Sequence, residues 1–179
     1  MAAPFLIPIV ALTPEAFAPY GWVLGAPPAP GAAVPAFLHP ATDFWRTHLF
    51  DTGAGGEPEF LWVRYRDNST DIGTLEVHHL TEQAIVPLTG GILQIVALGA
   101  APGDQPAPEA LRAFRVPVGL GICMRLGCWH TTRVDSDEVT CLMATRRSTT
   151  VDLIGHLAQG QPARESALAR LQARIDDGR

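Results

Sequence analysis

Apolar residues in this chain come in short runs, and glycine (17) and proline (16) interrupt them often. Runs of this kind, separated by frequent turn residues, are the pattern of a β-sandwich or barrel and not of a helix bundle. Trp22-Val-Leu24, Phe60-Leu-Trp-Val-Arg-Tyr65, Leu75-Glu-Val-His-His79 and Gln83-Ala-Ile-Val-Pro-Leu88 all read as strands. So do Ile92-Leu-Gln-Ile-Val-Ala-Leu98, Leu111-Arg-Ala-Phe-Arg-Val116, Ile122-Cys-Met124 and Val139-Thr-Cys-Leu-Met-Ala-Thr145. The run from Ile92 to Leu98 is rich in β-branched residues and bounded by Gly91 and Gly99, which suits a buried central strand. Strands this short and this closely spaced predict a closed or nearly closed antiparallel barrel.

Helical signals lie at the two ends. Thr13-Pro14-Glu15-Ala16-Phe17 is a helix start, with threonine as N-cap, proline in the first position and an acid in the first turn. Pro19 and Gly21 limit that helix to one or two turns, and residues 25–36 read as an irregular Pro/Ala/Gly loop. Near the other end, Thr149-Thr-Val-Asp152 has capping-box spacing for a helix ending at Gly160. From Pro162 onward, Leu168, Leu171 and Ile175 recur at helical spacing and predict a terminal amphipathic helix. The expected organisation is one domain over 1–179: an N-terminal segment 1–21, a barrel 22–147 and a helical tail 148–179.

Composition narrows the class. A chain of 179 residues, 47% hydrophobic and 17% charged, holds one well-buried core. A formal charge of −5 argues against nucleic-acid binding. No apolar run approaches a membrane span, and Met1-Ala-Ala-Pro-Phe-Leu-Ile-Pro8 lacks a charged secretory leader. Cys123, Cys128 and Cys141 fit neither a disulfide framework nor a zinc ribbon, so they read as reduced, packed thiols of a cytoplasmic protein.

The densest polar cluster is Glu76-Val-His78-His79-Leu-Thr-Glu82-Gln83, followed by Pro87 and Gly90. On a strand Glu76 and His78 share one face while His79 points to the other. Farther on, Pro117-Val-Gly119-Leu-Gly121 leads into Ile122-Cys-Met124 and then Gly127-Cys-Trp129-His130. These two segments resemble the half-motifs of cupin barrels, in which His and Glu side chains from both halves meet at one metal. His78, Glu82 and His130 are the set that would take a divalent ion, though adjacent His78 and His79 cannot both face inward. No cofactor is firmly implied.

Three stretches are similar to the ureidoglycolate lyase family. They are Leu12-Thr-Pro-Glu-Ala-Phe-Ala-Pro-Tyr-Gly21, then Glu76-Val-His-His-Leu-Thr-Glu-Gln-Ala-Ile-Val-Pro-Leu88, then Leu111-Arg-Ala-Phe114 with Gly121 and Trp129-His130. The resemblance implies an all-β, cupin-like barrel of the double-stranded β-helix type, with short peripheral helices, usually dimeric. It implies cleavage of ureidoglycolate to glyoxylate and urea, as in allantoin degradation and purine metabolism. Carried over by position, His130, Glu76 and His78 are the catalytic candidates, with His130 the general base. Gln83, Arg125, Trp129 and Arg146 are the substrate-binding candidates, the arginines for a carboxylate. Cys123, Arg125 and Thr131 stand where the family has other residues, as does Thr145-Arg146-Arg147. Two alternatives stand beside this reading: a metal-binding cupin enzyme for another small carboxylate, and a cupin that binds a small molecule without catalysis. Cys123 as a nucleophile lacks a partner in sequence; His39, His48 and His156 receive no role; Asp135-Ser-Asp-Glu138 reads as a hairpin tip in water.

Overall fold

The computed structural model describes residues 3–29 and 31–178, so the expectations for Met1, Ala2, Pro30 and Arg179 lie outside it. Two sheets face each other. The first has β1 (Phe5–Ile7), β2 (Ile9–Val10), β7 (Asp71–His78), β9 (Ile92–Ala97), β10 (Arg112–Val116), β12 (Trp129–Val134) and β14 (Ser166–Ile175), in the order β1-β14-β7-β12-β9-β10-β2. The second has β3 (Gly21–Leu24), β6 (Pro58–Tyr65), β8 (Gln83–Pro87), β11 (Gly121–Met124) and β13 (Val139–Arg146), in the order β3-β11-β8-β13-β6. A small ribbon of β4 (Ala36–Phe37) and β5 (Phe44–Trp45) stands apart. The architecture is the expected cupin-like barrel, all-β and nearly closed. Its ladders are antiparallel except where β1 meets β14 and β2 meets β10, which are parallel.

Alternation along the strands builds the core. In β13, Val139, Cys141, Met143 and Thr145 are buried while the residues between them are half-exposed. Their partners inside the barrel include Ile85, Ile92, Val96, Phe114, Ile122 and Val134. The opposite face of the seven-stranded sheet carries a second apolar cluster with Leu75, Val77, Leu93, Ile95, Ala97 and Trp129. β9 lies between the two clusters and all six of its residues are buried, as its β-branched run predicts. Its one polar residue, Gln94, is satisfied: its amide donates to the Thr131 carbonyl and accepts from the Thr132 hydroxyl.

The first helix, α1 (Pro14–Phe17), follows its sequence signal, with the Thr13 hydroxyl accepting from the Ala16 amide at 3.1 Å. Phe17 packs edge-on against Phe114. The second, α2 (Arg147–Gln159), ends at Gly160 in the left-handed conformation, as expected. It begins earlier than the capping-box spacing suggests. Asp152 does not cap it, but accepts from the amides of Arg164 and Glu165 and so fixes the turn that follows the helix.

The expected terminal helix is the clearest correction. Residues 166–175 form β14, which pairs antiparallel with β7 from Ser166↔His78 to Arg174↔Asp71. Leu168, on the face assigned to the helix interior, is 38% exposed, whereas Ala169, Ala173 and Ile175 are buried. A register shift between Arg170 and Ala173 breaks strict alternation and mimics helical spacing. The tail 148–179 is therefore helix then strand, and β1, β2 and β14 extend the sheet beyond the 22–147 barrel. Asp135–Glu138 is exposed, as expected, but it is no hairpin tip: it links β12 of one sheet to β13 of the other.

Ala173→Asp, which would place a charge in the second apolar cluster, is expected to destabilise the protein by about 3 kcal/mol or more. Leu168→Ser is expected to stay within about 0.5 kcal/mol of the parent. Urea denaturation of both variants checks this, and the helical arrangement would give the reverse ranking.

Candidate functional site

β7 and β12 meet with His130 directly opposite Glu76. Alternation points both, together with His78, into the barrel, and Gln83 joins them from the start of β8. Candidate ligand atoms of Glu76, His78 and His130 all lie within 4.8 Å of one another. Glu76, His78 and Gln83 line a cavity of about 310 Å³, and α2 forms one of its walls. Leu61, Val63 and Met143 give it apolar walls, with Tyr65, Thr145 and Thr149 among its polar ones. That volume falls at the lower end of the roughly 300–1,000 Å³ typical of small-molecule sites.

Hydrogen bonds fix both imidazoles. His130 Nδ1 lies 2.9 Å from the Cys128 carbonyl, which can only accept, so Nδ1 carries the proton. The other nitrogen, Nε2, is buried. It lies 3.2 Å from Glu76 Oε1 but is not aligned for a hydrogen bond and has no other partner. His78 Nε2 accepts from the Gln83 amide at 3.2 Å, so His78 Nδ1–H donates to the Ser166 hydroxyl at 3.0 Å. Burial, reinforced by neighbouring His130 and opposed by Glu76, pushes His78 down to about 4. His78 is neutral at physiological pH. At Glu76 burial opposes the charge, but His130 and then His78 outweigh it and hold the carboxyl below its ordinary range.

Of the expected site residues, Glu76, His78, Gln83 and His130 are brought together, and the first three line the cavity. The others are elsewhere. Trp129 follows alternation to the opposite face of β12, where it packs in the second apolar cluster and donates its indole N–H to the Asp104 carbonyl. Arg125 is on the outside, donating to the Ala18 carbonyl and lying 5.5 Å over the Trp22 ring. Arg146 is tied to Thr52, Ser148 and Glu165. The described lining of the cavity holds no arginine, and all 13 basic residues of the chain are arginines.

Glu82, expected beside His78 and His130, faces away from them and groups instead with His48 and Cys123. The adjacent residues Glu82 and Gln83 leave the chain on opposite sides of the sheet. His79 is exposed. All three cysteines are free and buried. Burial and the Glu82 carboxylate raise the Cys123 thiol well above its ordinary range, so it is no nucleophile at neutral pH. Tyr65 was not anticipated. Burial, only partly offset by Thr132, keeps its phenol protonated, and it lines the cavity as a hydrogen-bond donor. Its place at the inward end of an alternating strand was the only signal.

The family model for ureidoglycolate lyase matches residues 5–161. The chain belongs to the ureidoglycolate lyase family. Similar relatives include the ureidoglycolate lyase of Pseudomonas putida (strain W619), 33% identical over 125 residues, 66% of this chain and 71% of that protein. That of Azotobacter vinelandii is 41% identical over 70 residues, a match spanning 37% of this chain and 41% of its own length. Among solved structures, RmlC from Streptococcus suis in complex with dTDP-D-xylose is 16% identical with a TM-score of 0.42, covering 70% of each chain. The Drosophila melanogaster CENP-C cupin domain is 14% identical with a TM-score of 0.36, covering 64% of this chain and 75% of that one.

The depressed titration of His78 has a consequence for this family member's stability. Its folded value, about 4, lies below the ordinary 6.5, so the unfolded chain binds the proton more readily. The stabilisation is fully present above pH 6.5 and is lost as pH falls through about 4. A loss of about 3 kcal/mol is expected over that window. Glu76 adds a loss of the same sign at still lower pH. Chemical denaturation at a series of pH values should show this slope, and His78→Asn should flatten it.

Proposed function

We propose that this chain is a carbon–nitrogen lyase that cleaves ureidoglycolate to glyoxylate and urea inside the barrel. The observation that carries the reading is the pairing of a cavity-facing carboxylate, Glu76, with the buried, unpartnered Nε2 of His130 behind it. Membership of the family and the names of the relatives support the substrate.

Ureidoglycolate carries a hydroxyl and a urea nitrogen on the same carbon, so its cleavage needs a proton removed from oxygen and one delivered to nitrogen. Glu76 takes the hydroxyl proton, and His130 Nε2 receives it in turn or shares it with Glu76. The oxygen electron pair forms the new C=O bond of glyoxylate as the C–N bond breaks. The departing nitrogen takes the proton back from the Glu76–His130 pair, so the reaction balances without water. In this reading Glu76 is the base that meets the substrate and His130, expected from the sequence to be that base, relays the proton behind it, while His78 and Gln83 hold the carboxylate side of the site in place. The Gln83 amide donates to His78 and, at 3.3 Å, to the Met143 sulfur, a weak acceptor that a substrate oxygen readily replaces. With no arginine among the described residues that line the cavity, the substrate carboxylate falls to the Tyr65 phenol, the Thr145, Thr149 and Thr150 hydroxyls and Gln83.

A second reading has its own support. Two imidazoles and one carboxylate are a good donor set for a divalent ion, and the orphaned His130 Nε2 fits it. Glu76, His78 and His130 would hold such an ion, which would act as a Lewis acid on a bound oxygen. The protein is expected to work in the cytoplasm on a small carboxylate. It is also expected to work as a homodimer, since β6 exposes Phe60 and Trp62 (74% and 70%) on the outer face of an edge strand. No described helix is long and apolar enough to cross a membrane.

Urea release from racemic ureidoglycolate tests the assignment. Glu76→Gln and His130→Ala are each expected to lower kcat by roughly 10²- to 10⁴-fold, the range of general acid–base catalysis. Arg125→Ala is expected to change it by less than about threefold, being outside the cavity. Parent turnover no faster than the spontaneous reaction would sink the lyase assignment. Activity abolished by chelation and restored by one metal would favour the second reading.

A further inference from the structure

A second cluster of metal-ligating side chains sits on the outer face of the five-stranded sheet. His48, Glu82 and Cys123 come from three distant segments, yet their candidate ligand atoms lie within 4.8 Å of one another. Glu82 and Cys123 are buried and His48 is half-buried. The proposed chemistry in the barrel uses none of them. We infer that His48, Glu82 and Cys123 form a binding site for a zinc-type divalent cation, separate from the Glu76–His130 centre.

The three side chains converge on one oxygen. Glu82 Oε2 lies 2.7 Å from His48 Nε2 and accepts from the Asp51 amide at 3.0 Å and from the Cys123 thiol at 3.7 Å. The carboxylate is buried, and its one ion pair among the described residues is with His48. A divalent ion here would replace the thiol proton. Thiolate and carboxylate would then neutralise its two charges, and His48 would contribute neutral Nε2 after its proton moves to Nδ1. Donor atoms on one tetrahedral zinc are about 3.3–3.7 Å apart, given bonds of about 2.0–2.3 Å. The Glu82–Cys123 spacing already meets that, and the His48–Glu82 contact needs to open by about half an ångström. A mixed N, O and S donor set selects zinc or cobalt over calcium or magnesium.

The surroundings hold the donors in place and leave an open side. Trp22 stacks on His48 with ring centroids 3.8 Å apart. Cys123 lies between Trp22 and Ala84 in the ladder, and the small Ala84 leaves room beside the sulfur. Asp51 is held to Glu82 a second time, the Glu82 amide donating to the Asp51 carbonyl. His48 and Cys123 open onto a cavity of about 240 Å³ that Glu59 also lines. Glu59 Oε1 is buried without a hydrogen-bond partner among the described residues, but Glu59 alternates with outward-facing Phe60 and supplies no donor to this cluster. A bound ion would clamp the segment carrying His48, which has no regular structure between β5 and β6, onto β8 and β11.

Cobalt titration of the whole protein, stripped of metal by dialysis, tests the site. The expected result is about one Co²⁺ with a thiolate charge-transfer band in the near ultraviolet and tetrahedral visible bands. The band should disappear in Cys123→Ser and in His48→Ala, and persist in Cys141→Ser and in Glu76→Gln. Zinc should raise the thermal midpoint of the parent and of Glu76→Gln but not of Cys123→Ser. A parent protein without a thiolate band, or a band that survives Cys123→Ser, would overturn the site. Glu76→Gln and His130→Ala separate it from the barrel centre, so loss of lyase activity alone leaves this result intact.

Discussion

The register between β7 and β12 is the constraint on which the rest of this protein turns. It places Glu76 opposite His130, and alternation sends both into the barrel. A slip of one residue would bury Val77 and Trp129 in the cavity and expel the carboxylate and imidazole into an apolar cluster. Both sides of the sheet resist that slip, because Leu75, Val77 and Trp129 are packed on the opposite face. Packing that makes no contact with substrate therefore fixes the geometry of the chemistry. The same ladder explains why the Glu76–His130 contact is close without being a well-aligned hydrogen bond: the backbone sets the separation and the side chains accept it.

The barrel and its interior polar centre were largely legible in the sequence. Short apolar runs gave β6 to β11 and β13, and the half-motifs around Glu76-Val-His78 and Gly127-Cys-Trp-His130 gave the centre, because its residues lie on strands whose alternation can be counted. β14 was not legible. Its alanines, leucines, arginines and glutamine all favour helices, and its bulge spaces Leu168, Leu171 and Ile175 like a helical stripe. The unpaired edge of β7 overrides that propensity, since a strand there buries Ala169 and Ala173 and completes the ladder. The consequence reaches the site: Ser166, at the first position of β14, accepts from His78 Nδ1 and so turns His78 Nε2 toward Gln83. A residue 88 positions away selects the tautomer, which no local motif announces.

Misplaced side chains share one cause. Trp129, Arg125, Arg146 and Glu82 were each close in sequence to a residue that does face the cavity. Closeness in sequence is a poor guide on a strand, where neighbours point to opposite sides, and poorer still at a corner. Arg146 is the last residue of β13, beyond inward-facing Thr145, and it spends its donors on the carbonyls of Thr52 and Ala54. Arg125 follows β11 into a turn and leaves the barrel altogether. An arginine in this cavity would have faced a steep desolvation cost before any substrate arrived. Hydroxyls and an amide carry a smaller one.

Glu82 and Gln83 show how one corner serves two environments. Gln83 turns inward to His78, while Glu82 turns outward to His48 and Cys123, and the peptide unit between them is common to both. Each cluster gathers a carboxylate, at least one histidine and a hydrogen-bonding neighbour from remote segments, and each borders its own cavity. The sheet separates them, so their donor sets face opposite sides and share no ligand atom. The outer cluster also anchors Asp51 and the segment that supplies carbonyls to Arg146, which in turn meets Glu165 at the end of α2's return. Through that chain of contacts, α2, which forms one wall of the barrel cavity, is linked to the same segment that the outer cluster holds to the sheet.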